Sequence, residues 1–286
     1  MSQVWLISGS GAGLGRDIAE AALAAGHRVV ATARRVEVLD DLRAHYPDAL
    51  RVAPLDVTDE AACVEAVRIT LDAFGQLDVL VNNAGYGQLA PFEQMSPADY
   101  RAQIETNLFG VVNLTRAAVS HMRERRSGRI INVSSVGGRI GMPGMSAYQA
   151  AKWAVGGLSE VLATELGALG VHVTAIEPGG MRTGWVTRAG ADVPTLLADY
   201  EGSVGPLRDM LSTYAGNESG DPVRVAEVVL RLAAHPRPPI RLLLGSDAVT
   251  YADAAEQARR ETDKRWVEIS RSTDVGAAAM PAFPAY

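Results

Sequence analysis

Apolar residues along the chain fall into short runs separated by longer, helically spaced stretches. Gln3–Ser8, Arg28–Ala33, Leu50–Leu55, Asp78–Asn82, Arg129–Ser134, Val171–Ile176 and Ile240–Leu244 are mostly β-branched or leucine-rich, and several lack polar alternation. That continuity predicts strands covered on both faces. Between them, Leu14–Ala25, Val36–His45, Asp59–Phe74, Pro97–Arg125, Ser146–Leu169 and Pro222–Ala234 repeat apolar positions at helical spacing. Such regular alternation predicts βαβ units. The expected fold is α/β: a Rossmann-like, doubly wound parallel sheet of seven strands, flanked by helices on both faces and forming a single domain. Two stretches break the rhythm. Residues 183–221 are rich in glycine, threonine and proline. They are expected to form an irregular excursion beside the carboxyl ends of the strands, where open α/β sheets bind ligands. After residue 245 comes an extension: Asp247–Arg271 is charged and expected to be helical, and Gly276–Tyr286 is an alanine- and proline-rich tail expected to be poorly ordered.

Composition narrows the function classes. A net charge of −6 lacks the basic footprint of a nucleic-acid binder. No apolar run approaches the roughly 18 residues of a membrane span, and the N-terminus has no signal-peptide pattern. Cys63 is the sole cysteine, and the five histidines are scattered without ligand spacing, so neither an internal disulfide nor a metal site is expected. The expectation is a cytoplasmic protein with no nucleic-acid or membrane partner. Of 27 basic residues only Lys152 and Lys264 are lysines. A chain that uses arginine wherever a surface cation suffices draws attention to the lysines it keeps.

Chemistry concentrates at strand ends. Ser8-Gly9-Ser10-Gly11-Ala12-Gly13-Leu14-Gly15 follows the first strand and opens the first helix. Glycines there allow a tight turn and a close approach of backbone to a pyrophosphate at a helix N-terminus. Further along stand Asn82-Asn83-Ala84-Gly85, Asn107, Ser135, Tyr148-x-x-x-Lys152, and Pro178-Gly179 with Thr183. Tyr148 and Lys152, four apart in a helical segment, share a face. The order and spacing of these motifs over about residues 3–245 resemble the classical branch of the short-chain dehydrogenase/reductase family, whose loop reads Thr-Gly-x-x-x-Gly-x-Gly. Ser8 stands in for the usual threonine and keeps its hydroxyl. Within that family the chain resembles bacterial NADP-dependent ketoreductases and 17-beta-hydroxysteroid-dehydrogenase-like members.

The resemblance implies hydride transfer between a nicotinamide cofactor and a ketone, aldehyde or secondary alcohol. It implies Tyr148 as acid/base, Lys152 as the cation that lowers the phenol pKa, Ser135 as the hydrogen-bond donor to the substrate oxygen, and Asn107 as part of a water relay. It places the cofactor along Gly9, Ser10, Gly11, Gly13, Leu14, Gly15, Asp56, Val57, Asn83, Ala84, Gly85, Pro178, Gly179 and Thr183, with Tyr148 and Lys152 at the reactive end. The position where NAD-preferring members carry a carboxylate is Ala33, followed by Arg34 and Arg35. Guanidinium groups there suit a 2′-phosphate, so NADP(H) is expected rather than NAD(H). Tyr86, Met142, Met145, Met181 and Trp185 are the expected substrate walls and point to an apolar carbonyl compound. A homodimer or homotetramer is expected by the same analogy. The competing class, a cofactor-binding regulator without chemistry, would have lost Tyr148 or Lys152; both remain. The sequence has no Gly-x-Ser-x-Gly elbow, which disfavours a serine hydrolase.

Overall fold

A computed structural model of the chain describes residues 2–277 and 279–284. Seven strands form one parallel sheet in the order β3-β2-β1-β4-β5-β6-β7. They span Val4–Ile7 (β1), Arg28–Ala33 (β2), Leu50–Pro54 (β3), Val79–Asn82 (β4), Gly128–Val133 (β5), Val171–Pro178 (β6) and Arg241–Leu244 (β7). Side chains alternate between two cores. Trp5, Ile7, Val29, Ala31, Val79, Val81 and Ile131 face one, under α1 (Gly13–Ala24) and α10 (Pro222–Ala234). Leu6, Val30, Leu80 and Ile130 face the other, under α3 (Glu60–Phe74), α5 (Gly110–Arg125) and α6 (Ser146–Gly167). Both faces are therefore apolar, which is why these strands read as continuous runs.

Strand order reverses between β1 and β4. The crevice outside their carboxyl ends is where such sheets take ligands. The segment expected to be one helix over Pro97–Arg125 is instead α4 (Pro97–Ile104), a π-helical turn at Glu105–Phe109, and α5. Residues 183–221 depart further from expectation. The irregular excursion contains α7 (Trp185–Ala189), α8 (Ala198–Glu201) and α9 (Gly205–Tyr214), which bury Leu196, Val204, Leu207 and Leu211 with Leu89 and Met145 in a small core of their own. Short helices punctuated by glycine and proline carry too few periodic positions to be read in advance.

The C-terminal extension forms the 26-residue α11 (Ser246–Arg271). Its Ala248 and Ala252 pack on Val136 and Ile140, and Arg259 lies 5.4 Å over the Trp153 ring of α6. Of the tail expected to be poorly ordered, Ala278, Ala285 and Tyr286 lie outside the described residues. Phe283 meets Trp266 edge-on at 5.3 Å.

Candidate active site

The cofactor end is built from backbone. Gly9 and Gly13 adopt positive φ (68° and 58°), a conformation that costs side-chain-bearing residues energy. A Cβ on Gly15 would lie 2.3 Å from Asn83 Nδ2 and 2.4 Å from the Gly9 carbonyl. Ser8 locks the loop to β4: its hydroxyl accepts from the Asn83 and Ala84 N–H groups at 3.0 and 3.1 Å, and Asn83 donates back to the Ser8 and Gly9 carbonyls. The Ser10 hydroxyl donates to the Ile7 carbonyl at 3.0 Å. Helix α1 begins with Ala12 as its cap, with no side-chain cap and no acid in its first turn. Its first N–H groups are thus left for an anion. The residues present fit a dinucleotide pyrophosphate. Leu14 and Val57 are buried in the cores.

Arg34 and Arg35 leave β2 exposed, and Arg35 caps the 3₁₀ turn Val36–Leu39. The carboxylates Asp40 and Asp41, in the first turn of α2 (Asp40–His45), pair with Arg43 and Arg16 instead. Asp56 accepts from the Thr58 N–H and hydroxyl, which hold its carboxyl below the usual range; the Arg34 charge adds to this. The N-cap of α3 is Asp59.

The catalytic end is built from buried and half-buried side chains. Lys152 is 4% exposed, and its Nζ donates to the Val133 carbonyl at 2.8 Å while lying 5.7 Å from the Tyr148 ring centre. Burial pushes its ammonium down to about 8. The same desolvation pushes the Tyr148 hydroxyl up to about 12, opposed in part by a hydrogen bond from Ser135. Ser135 itself caps the 3₁₀ turn Val136–Gly138, its Oγ accepting from the Gly137 N–H at 3.0 Å. Neighbouring Ser134 bonds the Lys152 carbonyl and is structural. Asn107 sits in the π-helical turn. Its Nδ2 donates to the Tyr86 and Gln103 carbonyls, and its Oδ1 accepts from the Tyr86 N–H. A Cβ on Gly85 would lie 2.6 Å from Asn107 Oδ1 and 3.5 Å from Lys152 Nζ, so glycine is required between them.

The expected substrate residues divide. Trp185 packs against Tyr148 with ring centres 5.0 Å apart, and its edge crowds Gly87. Met142 and Met145 join the small core beneath them, Met145 as a buried member. Tyr86 flanks Asn107. Met181 stands apart, bridged to Gly220 and packed on the core under α1 and α10. Thr183 lies over Gly13, and Gly179 joins β7 by donating its N–H to the Leu244 carbonyl; Pro178 ends β6. Sequence reasoning missed a buried polar chain beneath the site. Asn82 donates to Thr115 and Asn132, and Asn132 to Ser159. Asparagines at the carboxyl ends of two apolar strands, Asn82 last in β4 and Asn132 last but one in β5, were its signal. Among the described residues no cluster of His, Cys, Asp and Glu could hold a metal, and no helix is long and apolar enough to cross a membrane.

A family model for short chain dehydrogenase matches residues 3–194. The chain belongs to the short-chain dehydrogenase/reductase family. It is 45% identical over 272 residues to oxidoreductase BOA17 of Botryotinia fuckeliana (strain B05.10), covering 94% of this chain and 98% of that one. It also resembles the 3-ketoacyl-(acyl-carrier-protein) reductase of Brucella melitensis complexed with NADH, with TM-score 0.72 and 26% identity over 85% of this chain and 96% of that one. The structure of ElxO with NADP bound matches with TM-score 0.73 and 27% identity over 87% and 100%. This dehydrogenase/reductase is an NAD(P)H-dependent oxidoreductase.

Proposed function

We propose that this short-chain dehydrogenase/reductase interconverts a medium-sized, largely apolar ketone or aldehyde and its alcohol, with Tyr148 as the proton donor and NADP(H) as the preferred cofactor. The observation that carries this reading is a buried Lys152 beside a Tyr148 whose hydroxyl is kept protonated. A nicotinamide cofactor held along the Gly9–Gly15 loop would supply hydride to the carbonyl carbon. Tyr148 delivers a proton to the carbonyl oxygen as negative charge develops there, and Ser135 steadies that oxygen by a hydrogen bond. Lys152 stabilises the phenolate left behind as a compact point charge, which the planar guanidinium of arginine cannot replace. Asn107, anchored in its π-helical turn, holds a water through which Lys152 and Tyr148 regain the proton.

Exposed Arg34, with Arg35 beside it, supports recognition of a 2′-phosphate. Trp185, Met142 and Met145 support an apolar substrate. Exposed Phe109, Trp153 and Val161 on the α5–α6 side support assembly as a homodimer or homotetramer, which light scattering at micromolar concentration would test; a monomer would contradict it. The functional test is NADPH absorbance decay with a panel of ketones and aldehydes. Turnover is expected with apolar members. Strong preference for a small charged keto acid would contradict the substrate class.

A further inference from the structure

Glu177 is the last-but-one residue of β6 and is completely buried. Its Oε2 accepts from Arg139 Nε at 2.7 Å, and its Oε1 accepts from Arg241 Nε at 2.7 Å and Nη2 at 2.5 Å. Arg241 also donates to the Glu160 carboxylate and the Gly138 carbonyl. Its guanidinium packs so closely on α6 that a Cβ on Gly156 would lie 2.8 Å from it.

Every segment this cluster touches leads directly to a group of the candidate site. Arg139 follows the 3₁₀ turn opened by Ser135. Glu177 precedes Pro178 and Gly179. Gly156 and Glu160 lie one and two helical turns beyond Lys152 on α6. A buried carboxylate between guanidinium groups is a weak stabiliser, because packed apolar side chains serve stability as well or better. What it supplies is direction: hydrogen bonds of fixed geometry at both carboxylate oxygens. The turn is tied to α6 at its start, where Ser134 donates to the Lys152 carbonyl and Ser135 bonds the Tyr148 hydroxyl. Its far end is held from outside, through Arg139.

We propose that Glu177 is a positioning residue, acting through Arg139 to hold the Ser135 turn in register with the helix that carries Tyr148 and Lys152. The inference rests on the reading of Ser135 as the group that holds the substrate oxygen. A displacement of about 1 Å in such a group can lower turnover about 100-fold.

The test is a double-mutant cycle on the full enzyme, saturated with NADPH and a ketone that the panel shows to be turned over. Arg139→Met cuts the arm from Glu177 to the turn and leaves the Glu177–Arg241 pair and the Arg241 bond to the Gly138 carbonyl intact, and Glu177→Gln weakens both arms. Each is expected to lower kcat about 10- to 100-fold with the Kd for NADPH unchanged. Because Glu177→Gln leaves two guanidinium groups facing a neutral amide, Arg139→Met is the variant that keeps the test available should the former not fold. In a Ser135→Ala background, Arg139→Met is expected to cost nothing further, since the group it positions is gone. A second full loss in that background would make the cluster merely structural and overturn the proposal, as would unchanged kcat in Arg139→Met alone. A silent Ser135→Ala would instead overturn the catalytic reading, and this inference with it.

Discussion

At one end of the cleft, Gly9, Gly13 and Gly15 act by lacking side chains; at the other, Lys152 and Asn107 act by burying polar ones, with half-buried Ser135 beside them. The difference has energetic consequences. The cofactor end keeps its N–H groups directed at a future anion without burying any charge of its own. The catalytic end holds a buried ammonium on one carbonyl, with its pKa pushed far below the ordinary 10.5. A backbone cradle is compatible with stability but intolerant of added atoms. A buried lysine tolerates neighbours but opposes folding.

Five substitutions separate the two ends, from the largest effect to the smallest. Tyr148→Phe removes only the transferable proton, so kcat should fall about 10²- to 10⁴-fold while the Kd for NADPH stays unchanged. Near-normal turnover in steady-state assays would break the distinction. Lys152→Met should abolish activity yet raise stability at neutral pH by up to about 3 kcal/mol in denaturant melts. The sign follows from a folded pKa of about 8 against the ordinary 10.5: the unfolded chain binds more protons between these values, so wild-type stability rises with pH there. The gain in the variant should therefore be complete below pH 8 and fade toward 10.5. Arg34→Ala should weaken NADPH binding by about 1.5–3 kcal/mol, or about 10- to 150-fold, and leave NADH nearly unaffected by titration. Ala33→Asp should shift preference further toward NADH. Equal weakening of both cofactors would reduce Arg34 to a solvated cation. Gly15→Ala should cost about 1–3 kcal/mol of stability by displacing Asn83, and unlike Arg34→Ala it should weaken NADPH and NADH alike.

How much was legible beforehand followed the same division. The strands and the glycine loop are local: short apolar runs and glycine spacing reside in a few consecutive residues, and the expected seven-stranded parallel sheet formed. Lys152 stood out through arginine usage elsewhere. The π-helical turn around Asn107 did not, because one extra residue in a helix leaves the apolar spacing on both sides intact. The helices within 183–221 were hidden by their shortness. Glu177 was hidden differently. Its partners lie 38 and 64 residues away along the chain, and only the folded sheet brings two arginines to one carboxylate.

The central claim is that a protonated Lys152 supports proton donation by Tyr148, and the pH dependence of kcat for ketone reduction at saturating NADPH tests it most directly. Tyr148, held up at about 12, remains a proton donor across the accessible range, whereas Lys152 loses its charge as pH rises through about 8. Reduction should therefore hold steady through neutrality and decline with an apparent pKa close to 8, a break that disappears in any Lys152 variant retaining measurable turnover. A profile that stays level well above pH 9, or a break that persists without the lysine, would contradict the account.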